Sequence, residues 1–140
     1  MTGTDALQTT LAAEHAAVWI YGVLGGQTSQ SSQPALYDAV TTAYVTHRSR
    51  RDQLVRWVRD ADEVPVAAEV AYELPNAART PAELKAIGLQ VEQRCAAAYA
   101  DLVGRTTEDE RAWGVNALVE SAVRQLDFDG DPTDLPGIDA

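Results

Sequence analysis

Three features of this 140-residue chain predict an all-α fold, a bundle of four amphipathic helices. Alanine fills 24 positions, apolar residues recur at three- and four-residue spacing, and β-branched residues rarely alternate with polar ones. That composition favours packed helices over a sheet. Proline, glycine and Ser/Thr/Asp punctuation then cuts the chain into four stretches of about twenty residues. The length fits one domain, residues 1–140, with a single continuous core.

The first helix is expected to start near Thr4 or Asp5, whose side chains cap free backbone N–H groups. It ends at Gly25-Gly26, where glycine accepts a left-handed turn. Leu7, Leu11, Glu14, Val18 and Gly22 fall within a stripe about 80° wide, so a carboxylate points along the apolar seam. Trp19, Ile20 and Val23 lie beyond that stripe, and either a later segment or a second copy of the chain must cover them. After a polar loop, Pro34 opens a second helix reaching about Asp60, with Leu36, Val40, Ala43, Tyr44, His47, Arg51, Leu54 and Val58 on one side. Residues 62–80 read as a long connection. Val64, Val66, Val70, Tyr72 and Leu74 give it apolar surface with which to lie along the bundle.

Thr80-Pro81-Ala82-Glu83 starts the third helix with a capping box, and Gly104 ends it. Its stripe is Leu84, Gly88, Val91, Cys95, Tyr99 and Leu102, with Glu92 at the edge. The fourth helix follows Thr106 or Thr107, the latter with Glu110 three residues on, and continues to about Asp127. Its expected apolar side is Val115, Val119, Ala122 and Leu126, flanked by Leu118. Glu120 and Arg124 then form an exposed i,i+4 pair. Residues 127–140 make an acidic, turn-rich tail in which Leu135, Pro136 and Ile138 pack on the bundle. Asp127, Asp129 and Asp131 imitate a calcium loop, but Pro132 stands where glycine is needed and Ile138 where a bidentate glutamate is needed.

A net charge of -10 and a pI near 4.4 argue against nucleic acid and against an anionic membrane surface. The arginines between Arg48 and Arg59 are diluted by Asp52 and Asp60, with Asp62 just beyond. No stretch is apolar enough to span a membrane, and the first residues lack the pattern of a secretory signal, so a cytoplasmic location is expected. Cys95 is alone, which rules out an internal disulfide, and reads as a small buried hydrophobe. No nucleophile elbow, Ser-His-Asp or Cys-His arrangement or phosphate loop is present. Trp57 and Trp113 read as packing residues.

Two short interhelix loops separated by one long crossover between helices 2 and 3 is the connectivity of a ferritin-like bundle. Such bundles often hold two metals, using one Glu from each of two helices and Glu-x-x-His from each of the other two. Glu14, His47 and Glu92 lie at similar depth on three helices and supply suitable donors for iron, manganese or zinc. However, Tyr44 stands three residues before His47 where a bridging glutamate belongs, and Arg51 one turn later supplies the countercharge a metal would bring. The favoured expectation is therefore a buried network of Glu14, His15, His47, Arg51 and Glu92, with Tyr21, Tyr44 and Tyr99 as hydroxyl partners and no cofactor. Arg48 and Arg50 are the alternatives to Arg51. A reduced metal site of Glu14, His47 and Glu92 is the second reading, and a cavity for a small apolar ligand near Gly22 and Gly88 the third.

The stretches Ala12-Ala13-Glu14-His15-Ala16-Ala17-Val18, Tyr21-Gly22-Val23, His47-Arg48-Ser49-Arg50-Arg51-Asp52, Ala71-Tyr72-Glu73-Leu74-Pro75, Glu92 with Ala96-Ala97-Ala98-Tyr99, Ala122-Val123-Arg124 and Leu135-Pro136-Gly137 carry a resemblance. They resemble an actinobacterial ferritin-like family known as a domain of unknown function. The resemblance implies a ferritin-like bundle and brings no substrate, cofactor or catalytic residue. The expected role is non-catalytic, through a homodimer or another protein partner.

Overall fold

The computed structural model describes residues 2–138, so the outermost residues of the 1–140 unit and of the 127–140 tail lie outside the described residues. Among the described residues there are four helices and no strand: α1 (Gly3–Gln27), α2 (Pro34–Asp60), α3 (Pro81–Arg105) and α4 (Glu108–Asp127). The chain is thus an all-α four-helix bundle. None of these helices is long and apolar enough to cross a membrane.

Helix boundaries follow the caps. Thr2, rather than Thr4 or Asp5, caps α1: its hydroxyl accepts from the Asp5 N–H while the Asp5 carboxylate accepts from the Thr2 N–H. Thr80 and Glu83 make the same reciprocal pair at α3. Each box satisfies two donors that a helix start would leave free. Thr107 sits at the start of α4 without a side-chain cap, so the expected box with Glu110 does not form. Both α1 and α3 run past the glycines expected to stop them.

α1 packs along α2 and α3, and α3 packs along α4, while the backbones of α2 and α3 lie farther apart and meet through long side chains. The connection from residue 61 to residue 80 returns along α1. Gln8 donates to the Val64 carbonyl and accepts from the Val66 N–H, His15 bonds the Val66 carbonyl, and the Tyr72 ring lies 5.9 Å from Trp19. This segment packs on Trp19 through Tyr72, Ile20 is buried, and Trp19 and Val23 remain partly exposed. Its fastening differs from expectation. Tyr72 and Leu74 pack on the core, but Val64, Val66 and Val70 face solvent, and polar clips do the work assigned to them.

The tail also docks in an unexpected way. Leu135 and Ile138 are exposed. Contact comes instead from Phe128, which is buried over Gly88, where a Cβ would stand 2.8 Å from the ring. It also comes from the backbone of Gly137, whose φ is +79° and whose Cβ would lie 2.3 Å from the Ala96 carbonyl oxygen. Only glycine fits both constraints. Phe128 thereby fills the space beside Gly88 where a ligand cavity was expected, and the space beside Gly22 is a surface groove.

α4 buries the opposite face from the one its valines advertise. Gly114, Ala117, Ser121 and Gln125 are buried, whereas Val115, Val119, Val123 and Leu126 are exposed. The reason is distance. A Cβ on Gly114 would come within 3.1 Å of Val103, so α4 lies too close to α3 for valine on the facing side.

Two apolar clusters result. One gathers Ile20, Tyr21, Leu24, Val40, Ile87 and Phe128, and the other Leu7, Leu11, Leu54, Val58 and Leu102. A layer of charged side chains lies between them.

Candidate functional site

Helical periodicity brings the charged layer together. On α2 the buried residues Leu36, Val40, Ala43, His47, Arg50 and Leu54 alternate at spacings of four and three, which holds one seam against α1 and α3. Glu14 on α1 and Glu92 on α3 occupy the equivalent depth, and Glu14, His47 and Glu92 are all fully buried.

The His47 imidazole sits between the two carboxylates. Its Nδ1 is 2.9 Å from Glu14 Oε1 and its Nε2 is 2.7 Å from Glu92 Oε2. Tyr99 donates to Glu14 Oε1 at 2.6 Å, and the Cys95 thiol approaches the same oxygen at 3.7 Å. Tyr21 donates to Glu92 Oε2 at 2.5 Å, and Ser121 donates to Glu92 Oε1 at 2.9 Å. Arg124 brings its guanidinium within 3.5 Å of Glu92 Oε1. Behind Tyr99, Arg50 donates to the phenol oxygen at 3.0 Å and to Glu120 at 2.6 Å, linking the layer to solvent. The Tyr21 ring stacks on the imidazole with centroids 5.4 Å apart.

The charges sum to near neutrality. Glu14 and Glu92 face His47 and Arg124, while Arg50 has Glu120. Burial alone would push the His47 pKa down, but the charges of Glu14 and Glu92 and their hydrogen bonds outweigh it and raise the group from 6.5 to about 9. Burial likewise opposes ionisation of Glu92, yet His47, Arg124 and the Tyr21 hydroxyl hold its pKa down at about 2. Burial and neighbouring negative charge push the Tyr21 and Tyr99 phenols and the Cys95 thiol well above their ordinary ranges. Cys95 is therefore a thiol, not a thiolate nucleophile.

Ionised carboxylates only accept hydrogen bonds, so the raised pKa of His47 corresponds to a ring with a proton on each nitrogen, one toward each glutamate. Imidazolium has no lone pair with which to bind a metal. A di-metal centre also lacks its bridging carboxylate on α2, where Tyr44 stands, and meets the Arg124 cation beside Glu92. The donors therefore fit such a centre poorly. One smaller set does converge: ligand atoms of Glu14, His47 and Cys95 lie within 4.8 Å of one another. Glu14 Oε2 is buried without a hydrogen-bond partner.

Of the residues expected in the network, Glu14, His47, Glu92, Tyr21 and Tyr99 meet. His15 does not: one residue on from Glu14 it is turned about 100° away, toward the crossover, and bonds the Val66 carbonyl. Arg51 is half-buried and pairs with its neighbour Asp52, because the seam spacing selects Arg50. Tyr44 lies beneath the Arg48 guanidinium, outside the layer. The Glu120–Arg124 pair does not form, since Glu120 meets Arg50 and Arg124 meets Glu92. Valine periodicity on α4 points the wrong way and hides Ser121 and Arg124 on the face that is buried. The small residues at positions 114, 117 and 121 carry the signal that would have turned it correctly.

A family profile described as a domain of unknown function, DUF4439, matches residues 6–140. The fold is similar to the crystal structure of a conserved hypothetical protein from Mycobacterium tuberculosis, with a TM-score of 0.82 and 27% identity over 91% of this chain and 87% of that one. None of the curated proteins matches the chain.

Proposed function

We propose, from the premise that this chain belongs to the DUF4439 family, that it is a ferritin-like bundle with no catalytic role. In this reading a buried Glu-His-Arg network stands where ferritin-like di-metal proteins hold their ions, and the protein acts through assembly or a protein partner. The observation that carries the reading is the engagement of both His47 ring nitrogens by carboxylates at 2.9 and 2.7 Å. An imidazole held that way does what the cation does in a metal centre: it bridges two buried carboxylates and cancels their repulsion. Tyr21, Tyr99 and Ser121 donate further hydrogen bonds to the carboxylates, and Arg124 adds its charge 3.5 Å from Glu92. The conformational restraint of such a layer fixes the relative depth of α1, α2 and α3, because sliding any one of them would strand a charge.

A second reading is a metal-binding protein with a reduced site, an iron-, manganese- or zinc-handling relative of ferritin-like oxidoreductases. It is favoured by the unpartnered Glu14 Oε2 and by the convergence of Glu14, His47 and Cys95 donor atoms. Here Glu14 and His47, with Glu92 or Cys95, would hold the ion after His47 gave up a proton, and the ion would supply Lewis-acid or redox chemistry. Elemental analysis of protein purified without chelator separates the two. The network reading expects iron, manganese and zinc well below one per chain. Stoichiometric metal that disappears in Glu14→Ala would replace it with the second.

A further inference from the structure

α3 turns one polar face toward the end of α4 and the tail. Gln90, Gln93, Arg94 and Ala97 stand at i, i+3, i+4 and i+7, so they share one stripe of the helix. Together with Gln125 from α4 and Thr133 and Gly137 from the tail, they line a cleft of about 380 Å³. That volume lies in the range of about 300–1,000 Å³ found for small-molecule sites. None of the lining residues belongs to the charged layer.

The tail wall is fastened on both sides of Thr133. The Gly130 N–H donates to the Gln125 carbonyl at 2.9 Å, and a Cβ at Gly130 would stand 2.7 Å from the Leu89 side chain. Farther on, Gly137 presses its backbone against the Ala96 carbonyl. The cleft is therefore built into the fold, with fixed points at each end of the segment that walls it.

Two observations say what it would hold. Gln125 is only 6% exposed, yet its side-chain amide bonds to no other group among the described residues. A buried amide without a partner is costly, and native proteins supply one. Gln125 lines the cleft, so its partner must come from there. The side chains of Gln90, Gln93 and Thr133 beside it are likewise free of hydrogen bonds among the described residues. Each carboxamide sets a donor next to an acceptor, which matches a hydroxyl that gives and takes one bond. Charge is the second observation. The chain has 21 acidic residues and none lines this cleft; Asp131 and Asp134, either side of Thr133, are exposed and lie outside the lining. Arg94 does line it and forms no ion pair among the described residues. A free guanidinium in a lining without carboxylates selects an anionic group.

We propose that this cleft binds a small polyhydroxylated anion, a sugar acid or a sugar phosphate, with the carboxylate or phosphate on Arg94 and the hydroxyls on the carboxamides of Gln90, Gln93 and Gln125. The site needs neither a metal nor a proton from the charged layer, so it stands or falls separately from the reading of that layer.

Proton–nitrogen-15 correlation NMR of the full chain reads the site directly, because side-chain carboxamides give resonances of their own. The probes are D-gluconate and glucose 6-phosphate, with D-glucose and acetate as controls. At least one of the two anions should move the Gln90, Gln93 and Gln125 carboxamide signals with a Kd of about 1 mM or below, and the one that does so names the anionic group. Glucose, which lacks the charge, and acetate, which lacks the hydroxyls, should each bind at least tenfold more weakly. Arg94→Ala should weaken the sugar anion at least tenfold. Gln125→Leu should abolish its advantage over acetate, with far-UV circular dichroism confirming the fold, and Gln93→Leu, at the exposed rim where folding is not at risk, should weaken it at least threefold. Signals that stay in place up to about 20 mM of either anion overturn the inference. So does acetate binding as tightly as the sugar anions, or binding that Arg94→Ala and Gln93→Leu leave unchanged.

Discussion

Raising the pH from 6 to 9.5 removes the proton that holds the charged layer together, and its cost can be worked from the geometry. His47 is fully buried between Glu14 and Glu92, and its pKa rises from 6.5 to about 9. A group whose folded pKa exceeds its unfolded value contributes stability that is complete below the unfolded value and lost as pH climbs through the folded one. For His47 the window is therefore about 6.5 to 9, and the rise is equivalent to about 3 kcal/mol of preference for imidazolium in the folded protein. Urea unfolding at half-unit steps should show stability falling by about that amount across the window, before the tyrosines of the unfolded chain begin to ionise near pH 10. The same titration of a folded His47→Gln variant should lose only about 1 kcal/mol by pH 9, because the Cys95 thiol, held protonated in the fold, ionises near about 8.5 in the unfolded chain. A wild-type loss below about 1 kcal/mol, or an equal slope in the variant, would mean that the imidazole does not bridge two carboxylates as a cation. On the acid side the sign reverses: Glu92 contributes stability present above about 4.5 that is lost as pH falls through about 2.

Four substitutions test the remaining parts. Glu14→Ala should destabilise the protein by about 3–5 kcal/mol in chemical denaturation, because His47, Tyr99 and Cys95 lose their common acceptor; a loss under about 1 kcal/mol would contradict the burial argument. Arg50→Ala should cost more than Arg51→Ala, since Arg50 bonds the Tyr99 phenol while Arg51 meets only Asp52. The second change should stay under about 1 kcal/mol, and the reverse order in thermal unfolding would move the cation back to position 51. Gly88→Ala should cost about 1–3 kcal/mol by driving a methyl into the Phe128 ring. A neutral result would show that the tail does not close over α3.

Helix placement was legible because its determinants are local. Pro34, the Thr80-Pro81-Ala82-Glu83 box and the seam spacing on α2 act within a few residues of where they stand. The carboxylates and the imidazole were legible for a related reason: a charge within an apolar stripe is an anomaly that periodicity exposes. Which residue turns inward at a one-step ambiguity was not legible. Arg50 and Arg51 differ by about 100° around the helix, and only the packing of α2 against its neighbours chooses between them. α4 misled for a different reason. Hydrophobicity ranks valine above glycine, alanine and serine as a core residue, but a closely packed pair of helices selects for small size. Position 121 shows the consequence, since an apparently unremarkable serine donates to Glu92 in the middle of the protein. The valines displaced from the core became an exposed ridge.

Nitrogen-15 NMR of the His47 side chain at neutral pH tests the central claim most directly, because it reports how many protons the ring carries. The account predicts two protonated ring nitrogens, each coupled to its own slowly exchanging hydrogen, persisting until the pH approaches 9. A ring with one bare nitrogen at pH 7, or a nitrogen resonance displaced by a bound metal, would contradict it.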